Sequence, residues 1–220
     1  HIFDTKVAQS STEKFGDFTV LTMTPSAQKG WRYMAKRTID IALGSILIMA
    51  TLPLMIIAAI AIKLTSRGPV LFIQNRVGYN KRIFNLFKFR TMMVGAEKLQ
   101  GGLEEQNEMD GPVFKIKNDP RVSAVGRWLR KWSVDELPQL FNVIKGDMSL
   151  VGPRPLPVRD YNGFRKDWQR RRFSVLPGVT CTWQINGRND VSFEDWMKMD
   201  MEYIDNWTFS SDLKILFKTI

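Results

Sequence analysis

The sequence predicts an α+β fold that is mostly helical, with a small amount of sheet and a re-entrant membrane hairpin. Residues 41–62 carry no charge. Helical apolar spacing recurs through most of the remaining chain, whereas extended patterns are short. Extended segments are expected at 70–74 and 83–89, and helices at 123–132, 137–144, 158–173, 193–207 and 213–220.

Composition limits the chemistry open to the chain. With 220 residues, 44% of them hydrophobic, it can form one sizeable core. Lys and Arg number 32 against 22 Asp and Glu, which predicts an anionic partner: nucleic acid, nucleotide phosphates or acidic lipid. Cys181 is the only cysteine and His1 the only histidine. The sequence therefore argues against disulfides, Cys/His zinc sites and histidine-based triads, and for a reducing compartment.

The uncharged run at 41–62 is long enough to cross a hydrocarbon layer of roughly 30 Å. Two features argue against a simple crossing. Pro53 lies near its middle, where the missing N–H and the ring clash should bend or break a helix. Basic residues flank both ends, which favours the cytoplasmic side for each. We interpret the run as a helix-break-helix hairpin that enters and leaves by one face. The alternative is an ordinary transmembrane helix with a proline kink.

This interpretation divides the chain into three parts. Residues 1–35 are expected to be a linker or the remnant of an upstream domain, because they show no sustained period. Residues 36–68 form the re-entrant hairpin, and residues 69–220 form a cytoplasmic domain. No secretory signal pattern opens the sequence.

Residues 193–207 place apolar side chains, including Trp196 and Met197, at roughly helical spacing. Core packing is one explanation for this face. The other is an amphipathic helix lying in the membrane interface, where Trp is favoured. This segment and the one that follows could also pack on a second copy of the chain, so the sequence is compatible with a homo-oligomer.

Two adjacent carboxylates, Asp135 and Glu136, lie at the expected start of a helix, where backbone N–H groups favour negative charge. Because neighbouring residues on a helix point about 100° apart, the two cannot play the same role. One could attack phosphorus while the other holds a metal, and magnesium would neutralise a diphosphate. The alternative is structural: Ser133 and Glu136 have the spacing of a capping box.

Basic residues near these carboxylates suit an anionic ligand. Arg130 shortly precedes the pair. Arg154 is held between two prolines, which fixes its backbone for contact with a phosphate. Arg188 follows an Asn-Gly turn, and Lys88 and Arg90 share one face of an expected strand. An incidental surface arginine and a solvated strand edge are the alternatives.

These motifs resemble the monotopic phosphoglycosyl transferases, the bacterial sugar transferase family that begins capsule, exopolysaccharide and O-antigen assembly. The resemblance runs from about residue 36 to residue 220, and residues 1–35 resemble the tail of a long form. The motifs are Lys36-Arg37-Thr38-Ile39-Asp40, the apolar hairpin with Pro53, Phe87-Lys88-Phe89-Arg90-Thr91-Met92, Asp135-Glu136-Leu137-Pro138-Gln139-Leu140, Gly146-Asp147-Met148-Ser149-Leu150-Val151-Gly152-Pro153-Arg154-Pro155 and Asn186-Gly187-Arg188-Asn189.

The resemblance implies a ping-pong transfer. Asp135 would attack the sugar-proximal phosphorus of a UDP-sugar and expel UMP, and undecaprenyl phosphate would then take the phospho-sugar from the aspartate. The implied location is the bacterial inner (cytoplasmic) membrane, in contact with lipid, with the catalytic domain on the cytoplasmic face.

The resemblance also implies the roles of single residues. Asp135 and Glu136 form the dyad, with Glu136 holding Mg²⁺ beside Asp135. Arg154 and Arg188 would contact phosphate or nucleotide, and Arg130 and Lys88 are further substrate-binding candidates.

Two other classes of function were weighed. A glycoside hydrolase needs two carboxylates roughly 5 to 10 Å apart across a sugar ring, which neighbouring Asp135 and Glu136 reach poorly. A membrane-attached nucleic-acid binder would fit the charge and the aromatic residues, but no nucleic-acid motif is present. We therefore expect no nucleic-acid partner.

Overall fold

The computed structural model describes residues 9–15, 18–24, 30–99, 101–186 and 191–219. Over these ranges the protein is mostly helical with a little sheet, which confirms the predicted fold class. The helices are α1 Trp31–Thr65, α2 Ala124–Lys131, α3 Gln139–Lys145, α4 Val158–Asn162, α5 Thr182–Ile185, α6 Phe193–Asp205 and α7 Phe209–Thr219. Short 3₁₀ helices lie at Tyr79–Lys81, Ala96–Leu99, Gly101–Gln106, Val134–Glu136 and Asp167–Ser174.

The strands form three small sheets. β1 Gln9–Phe15 and β2 Phe18–Thr24 make an antiparallel hairpin inside the region expected to be a linker. β3 Leu71–Val77 lies between β4 Ile83–Phe89 and the short β6 Leu156–Pro157, antiparallel to both. β5 Ser149–Val151 pairs in parallel with β7 Gly178–Thr180. The expected strand at 83–89 is confirmed.

α1 continues through Pro53 as one α-helix, so the break expected there is wrong. A proline removes a single backbone hydrogen bond and its fixed φ is itself helical, so a long helix can absorb it. Two residues before Pro53, the Thr51 hydroxyl donates to the carbonyl oxygen of Leu47 at 2.7 Å. By length and composition, α1 could cross a membrane.

One face of α1 packs against the rest of the domain along the length of the helix. Its buried residues recur at helical spacing near both ends: Lys36, Asp40, Gly44, Met55, Ala58 and Ile62. The opposite face is apolar yet exposed, with Met49 68% and Ile57 62% accessible. An apolar face of this size that stays exposed is typical of a surface that contacts a partner or a membrane.

Polar contacts anchor the first turns of α1. Arg37 donates to the carbonyl oxygens of Val143 and Ile144 at 2.5 and 2.7 Å, satisfying the C-terminal end of α3. Asp40 accepts a hydrogen bond from the backbone N–H of Leu150 at 3.0 Å, which connects α1 to β5.

The apolar face of α6 is buried, so the membrane-interface interpretation of 193–207 is wrong and core packing is confirmed. Trp196 is 3% exposed, Met197 0% and Trp207 3%. These side chains lie in the two clusters that join α6 to β5, α7 and the 3₁₀ segment before β7. Among the described residues, exposed aromatic side chains lie instead on α2 and at its C-cap, Trp128 and Trp132, and also on α1 and α7, at Trp31 and Phe217.

α2 lies against the backbone that follows β4. Ser123 caps α2 by accepting from the Gly126 N–H, and its own N–H and hydroxyl both donate to the carbonyl oxygen of Thr91. A Cβ at Gly126 would come within 1.9 Å of that same oxygen. Only glycine therefore allows α2 to pack this closely, and α2 leads directly to the two carboxylates.

We expect Gly126→Ala to lower the free energy of unfolding by about 1–3 kcal/mol, because the methyl group must displace backbone. Gly102→Ala is the matched control, since a Cβ there meets nothing within 4 Å, and it should change stability by no more than about 0.5 kcal/mol. Denaturant unfolding in detergent measures both. Equal effects of the two substitutions would contradict the close approach of α2.

Candidate active site

Asp135 and Glu136 lie on the 3₁₀ helix Val134–Glu136, just before α3. Ser133 precedes them with φ 55° and ψ 19°, a left-handed conformation that is unfavourable for a residue with a side chain. The Ser133 side chain makes no capping hydrogen bond. The capping-box alternative is therefore wrong, because the Glu136 carboxylate bonds to distant cations instead.

Glu136 joins two basic side chains that come from distant parts of the sequence. Its Oε1 accepts from Lys88 Nζ at 2.7 Å and from Arg154 Nη2 at 2.8 Å. Only 17% of the Glu136 side chain is exposed. Burial opposes its ionisation, but Arg154 and Lys88 outweigh burial and hold the pKa of Glu136 well below its usual range. Glu136 is thus a fixed carboxylate.

Asp135 has the opposite electrostatics. It is 7% exposed, and among the residues that the structure describes its carboxylate accepts no hydrogen bond. Burial raises the pKa of Asp135, and the charge of Glu136 adds to this, while Lys88, Arg130 and Arg154 oppose it. A desolvated carboxylate that no donor holds, facing several cations, is suited to attack an electrophile whose negative charge those cations attract.

Three of the cations expected from the sequence, Lys88, Arg130 and Arg154, are brought to the dyad. Lys88 and Arg154 bond to Glu136, and Arg130 donates from Nε to the Thr91 hydroxyl at 2.9 Å while acting electrostatically on Asp135. Arg188 belongs to the residues that the structure does not describe. The roles of these side chains toward a substrate stay predictions.

Arg90 does not join the site. Its guanidinium donates to the carbonyl oxygens of Arg67 and Ser66 at 3.0 and 3.1 Å, and it is 8% exposed. Arg90 therefore fixes the turn that follows α1, a structural role rather than a phosphate contact.

Arg76 on β3 was not predicted as a site residue. Arg76 donates from Nη1 to the carbonyl oxygen of Pro155 at 3.0 Å and lies within electrostatic range of Arg154 and Glu136. Burial, aided by Arg154, lowers the pKa of Arg76 to about 10. In the sequence, Arg76 is a single charged residue in a short strand, and a solvent-exposed strand edge would show the same pattern.

Arg172 and Asp200 were not predicted either, and Arg172 supports the backbone of Arg154. Arg172 donates from Nη2 to the backbone carbonyl oxygen of Arg154 at 2.8 Å and forms an ion pair with Asp200, also at 2.8 Å. Both side chains are 1% exposed. Asp200 was detectable, because it lies four residues after Trp196 and four before Ile204, on the apolar face of the predicted helix.

The cations outnumber the carboxylates at this site: Arg76, Lys88, Arg130 and Arg154 face Asp135 and Glu136. The excess of positive charge favours binding of an anion such as a diphosphate. The prolines on both sides of Arg154 are buried, so its guanidinium is presented from a fixed backbone. That geometry suits contact with phosphate oxygens.

The dyad offers limited ligation to a metal. Within the described ranges, no group of three or more His, Cys, Asp or Glu side chains could hold an ion. Magnesium is often bound by one or two carboxylates and completed by substrate phosphates and water. Asp135 fits that pattern, because its oxygens accept no bond from the described residues. Oε1 of Glu136 already accepts from two cations, so Glu136 offers less, and its role as a ligand stays a prediction.

Fold and site together define a class: an enzyme with a buried carboxylate pair among basic side chains, on a domain built along a long apolar helix. The sequence model of the bacterial sugar transferase family matches residues 31–220. The chain belongs to this family.

Three relatives illustrate the similarity. A galactosyl transferase, CpsE, of Streptococcus agalactiae is 41% identical over 220 residues, covering 97% of this chain and 47% of the relative. An undecaprenyl-phosphate glucose phosphotransferase of Komagataeibacter xylinus is 40% identical over 218 residues, covering 94% and 39%. The exopolysaccharide production protein ExoY of Rhizobium meliloti is 41% identical over 198 residues, covering 85% and 84%. The chain thus spans less than half the length of the first two relatives.

The contrast between the two carboxylates predicts opposite effects on stability. Asp135→Asn should leave the melting temperature at pH 7 unchanged or higher, because it removes a desolvated charge with a raised pKa. Glu136→Gln should lower the free energy of unfolding by about 3 kcal/mol, because two buried cations lose their counter-ion. Thermal unfolding of both variants measures these effects. Equal effects would contradict the contrast between a desolvated Asp135 and an ion-paired Glu136.

The buried Asp200 carboxyl should make the stability of the protein depend on pH. Burial raises its pKa to about 6 against 3.8 for the ordinary group, while Arg172 acts in the opposite direction. A raised carboxyl pKa means that the folded state binds the proton more tightly. Protonation of Asp200 therefore stabilises the folded state. This contribution to the free energy of unfolding is fully present below pH 4 and is lost as pH rises through about 6.

The stability of the wild type relative to Asp200→Asn should therefore fall between pH 4 and pH 7. Denaturant unfolding across this range measures it. A difference that instead grows with pH would show that attraction to Arg172 outweighs the burial of Asp200.

Proposed function

We propose that the protein transfers a sugar 1-phosphate from a UDP-sugar to undecaprenyl phosphate, a polyprenyl phosphate, and releases UMP. The observation that carries the proposal is the contrast between the two carboxylates: Glu136 is ion-paired twice, whereas Asp135 lies among cations and accepts no hydrogen bond from the described residues. Three of its relatives' names support the chemistry, since they describe undecaprenyl-phosphate sugar phosphotransferases and a lipid carrier transferase.

In the first half-reaction, an Asp135 carboxylate oxygen attacks the sugar-proximal phosphorus. The new O–P bond forms as the bond to the UMP oxygen breaks, and UMP leaves with the electron pair. The phospho-sugar is then held on Asp135 as a mixed anhydride. Although burial raises the pKa of Asp135, the surrounding cations favour its ionised, nucleophilic form.

In the second half-reaction, a phosphate oxygen of undecaprenyl phosphate attacks the same phosphorus. The bond to Asp135 breaks, the carboxylate is restored and the product is a polyprenyl diphospho-sugar. This would be the first membrane step of capsule, exopolysaccharide or O-antigen synthesis, and the name of the ExoY relative supports that context.

The cations bind and orient the diphosphate. Arg154 presents its guanidinium from a fixed backbone, and Lys88 shares with it the carboxylate of Glu136. Arg130 lies on the other side of Asp135, and Arg188 is a further proposed contact. Mg²⁺, held by Asp135 with the support of Glu136 and by substrate oxygens, would neutralise charge on the diphosphate.

The membrane arrangement follows from α1. Since both ends of this helix pack on one polar domain, we propose that it dips into one leaflet of the inner membrane without crossing it. Its exposed apolar face would meet lipid, and the catalytic domain would remain on the cytoplasmic face. Undecaprenyl phosphate could then reach Asp135 from the same leaflet. A homo-oligomer remains compatible with this arrangement.

UMP release tests the reaction. Lipid-solubilised wild type, given Mg²⁺, undecaprenyl phosphate and a panel of UDP-sugars, should release UMP with at least one of them. Asp135→Asn should lose activity by about 10⁴-fold or more while remaining folded, because the nucleophile is gone. Glu136→Asp should retain partial activity, because it keeps the charge between Lys88 and Arg154.

No UMP from any sugar with folded wild type would contradict the proposed transfer. Retained activity in Asp135→Asn would contradict the role of Asp135 alone.

Cysteine labelling tests the membrane arrangement. Cys181 is 2% exposed and should react little. Arg32→Cys and Arg67→Cys place exposed thiols at the two ends of α1. An impermeant maleimide should label neither in intact spheroplasts and both in inverted vesicles. Labelling of one end from outside intact spheroplasts would show a helix that crosses the membrane.

A further inference from the structure

Gln139, the first residue of α3, has a buried side chain without a partner. It is 2% exposed, and its amide nitrogen Nε2 meets no hydrogen-bond acceptor. Over the ranges that the structure describes, this side chain makes no hydrogen bond at all. Burying an amide donor without a partner is costly, so native proteins rarely retain one without a function.

Asn142, one turn later on the same helix, shows the usual arrangement. Its Oδ1 accepts from the Phe87 N–H at 3.0 Å, and its Nδ2 donates to the carbonyl oxygen of Asn85 at 2.7 Å. Asn142 is 0% exposed, so the two amides are equally buried. The environment of α3 can therefore satisfy an amide, and the unpaired state of Gln139 is particular to its position.

That position is beside the dyad. Gln139 follows Asp135 and Glu136 by four and three residues, through Leu137 and Pro138, which are both right-handed helical. Residues at these separations share one side of a helical segment. Helical side chains also lean toward the N-terminus, which directs Gln139 back over the dyad.

Contacts with β4 support this orientation. Glu136 and Asn142 lie three residues before and after Gln139, and both bond to β4, at Lys88 and at Asn85 and Phe87. A second donor at the site is also unpaired: Nε of Arg76 is buried and has no partner. Among the described residues, two unused donors thus belong to this region: Gln139 follows the dyad by one helical turn, and Arg76 lies within electrostatic range of Glu136. An anion with several oxygens would satisfy both.

We propose that Gln139 is a substrate-binding residue whose amide N–H donates to a non-bridging oxygen of the phosphoryl group that Asp135 attacks. The inference rests on the function proposed above and names one further contact in the same site. The hydrogen bond would orient the phosphorus toward Asp135 and would persist while the phospho-sugar is held on that residue. The ligand chemistry is a sugar phosphate or diphosphate oxygen.

Gln139→Met tests the proposal, because methionine has a similar shape and no polar group. The variant should melt about 2–4 °C higher than wild type, since an unpaired buried amide is removed. Its single-turnover rate of UMP release, without undecaprenyl phosphate, should fall about 10- to 100-fold. If Gln139 had only a structural role, its replacement would not make the protein both more stable and less active.

Asn142→Leu is the matched control, and it should lower the melting temperature because bonded amide groups of β4 lose their partner. Unchanged UMP release in Gln139→Met would overturn the proposal, and so would a lower melting temperature, which would reveal a bond that the amide already makes. If wild type releases no UMP, the proposed function fails. The affinity for UDP, measured by thermal shift, then tests the contact of Gln139 with phosphate by itself. Equal affinity in wild type and Gln139→Met would then overturn the role of Gln139.

Discussion

The carboxylate of Glu136 joins three distant parts of the chain. Lys88 comes from β4, Arg154 from the turn between two buried prolines after β5, and Glu136 from the 3₁₀ helix before α3. Because this double ion pair is largely buried, losing Glu136 leaves two cations without their counter-ion. The two ion pairs fix Lys88 and Arg154 near Asp135, whose carboxylate accepts no hydrogen bond from the described residues. Glu136 therefore organises the site in which we propose that Asp135 acts.

Support for this arrangement extends outward in two directions. Arg172 donates to the backbone carbonyl oxygen of Arg154 and pairs with Asp200 of α6, so the packing of α6 supports the backbone that carries the Arg154 guanidinium. Asp40 of α1 bonds to Leu150 on β5, three residues before the turn that carries Arg154. The helix that we propose to lie in the membrane is therefore connected to Arg154 through a short stretch of backbone.

The sequence predicts much of the fold and half of the site. Periodicity locates α2, β4 and the long apolar helix, but it cannot decide whether α6 faces lipid or core, because both environments select the same apolar face. Lys88, Arg130 and Arg154 are identifiable from local motifs. Arg76 and Arg172 are not, since a lone strand charge and one arginine in a run resemble surface charge. Their roles depend on contacts between segments far apart in sequence.

The central claim is that Asp135 carries the phospho-sugar covalently. Intact-protein and peptide mass spectrometry, after incubation with a UDP-sugar in the absence of undecaprenyl phosphate, tests it most directly. The account predicts the added mass of one phospho-sugar on the peptide that contains Asp135, and loss of that mass once undecaprenyl phosphate is added. UMP release that requires both substrates together, with no adduct on the protein, would contradict it.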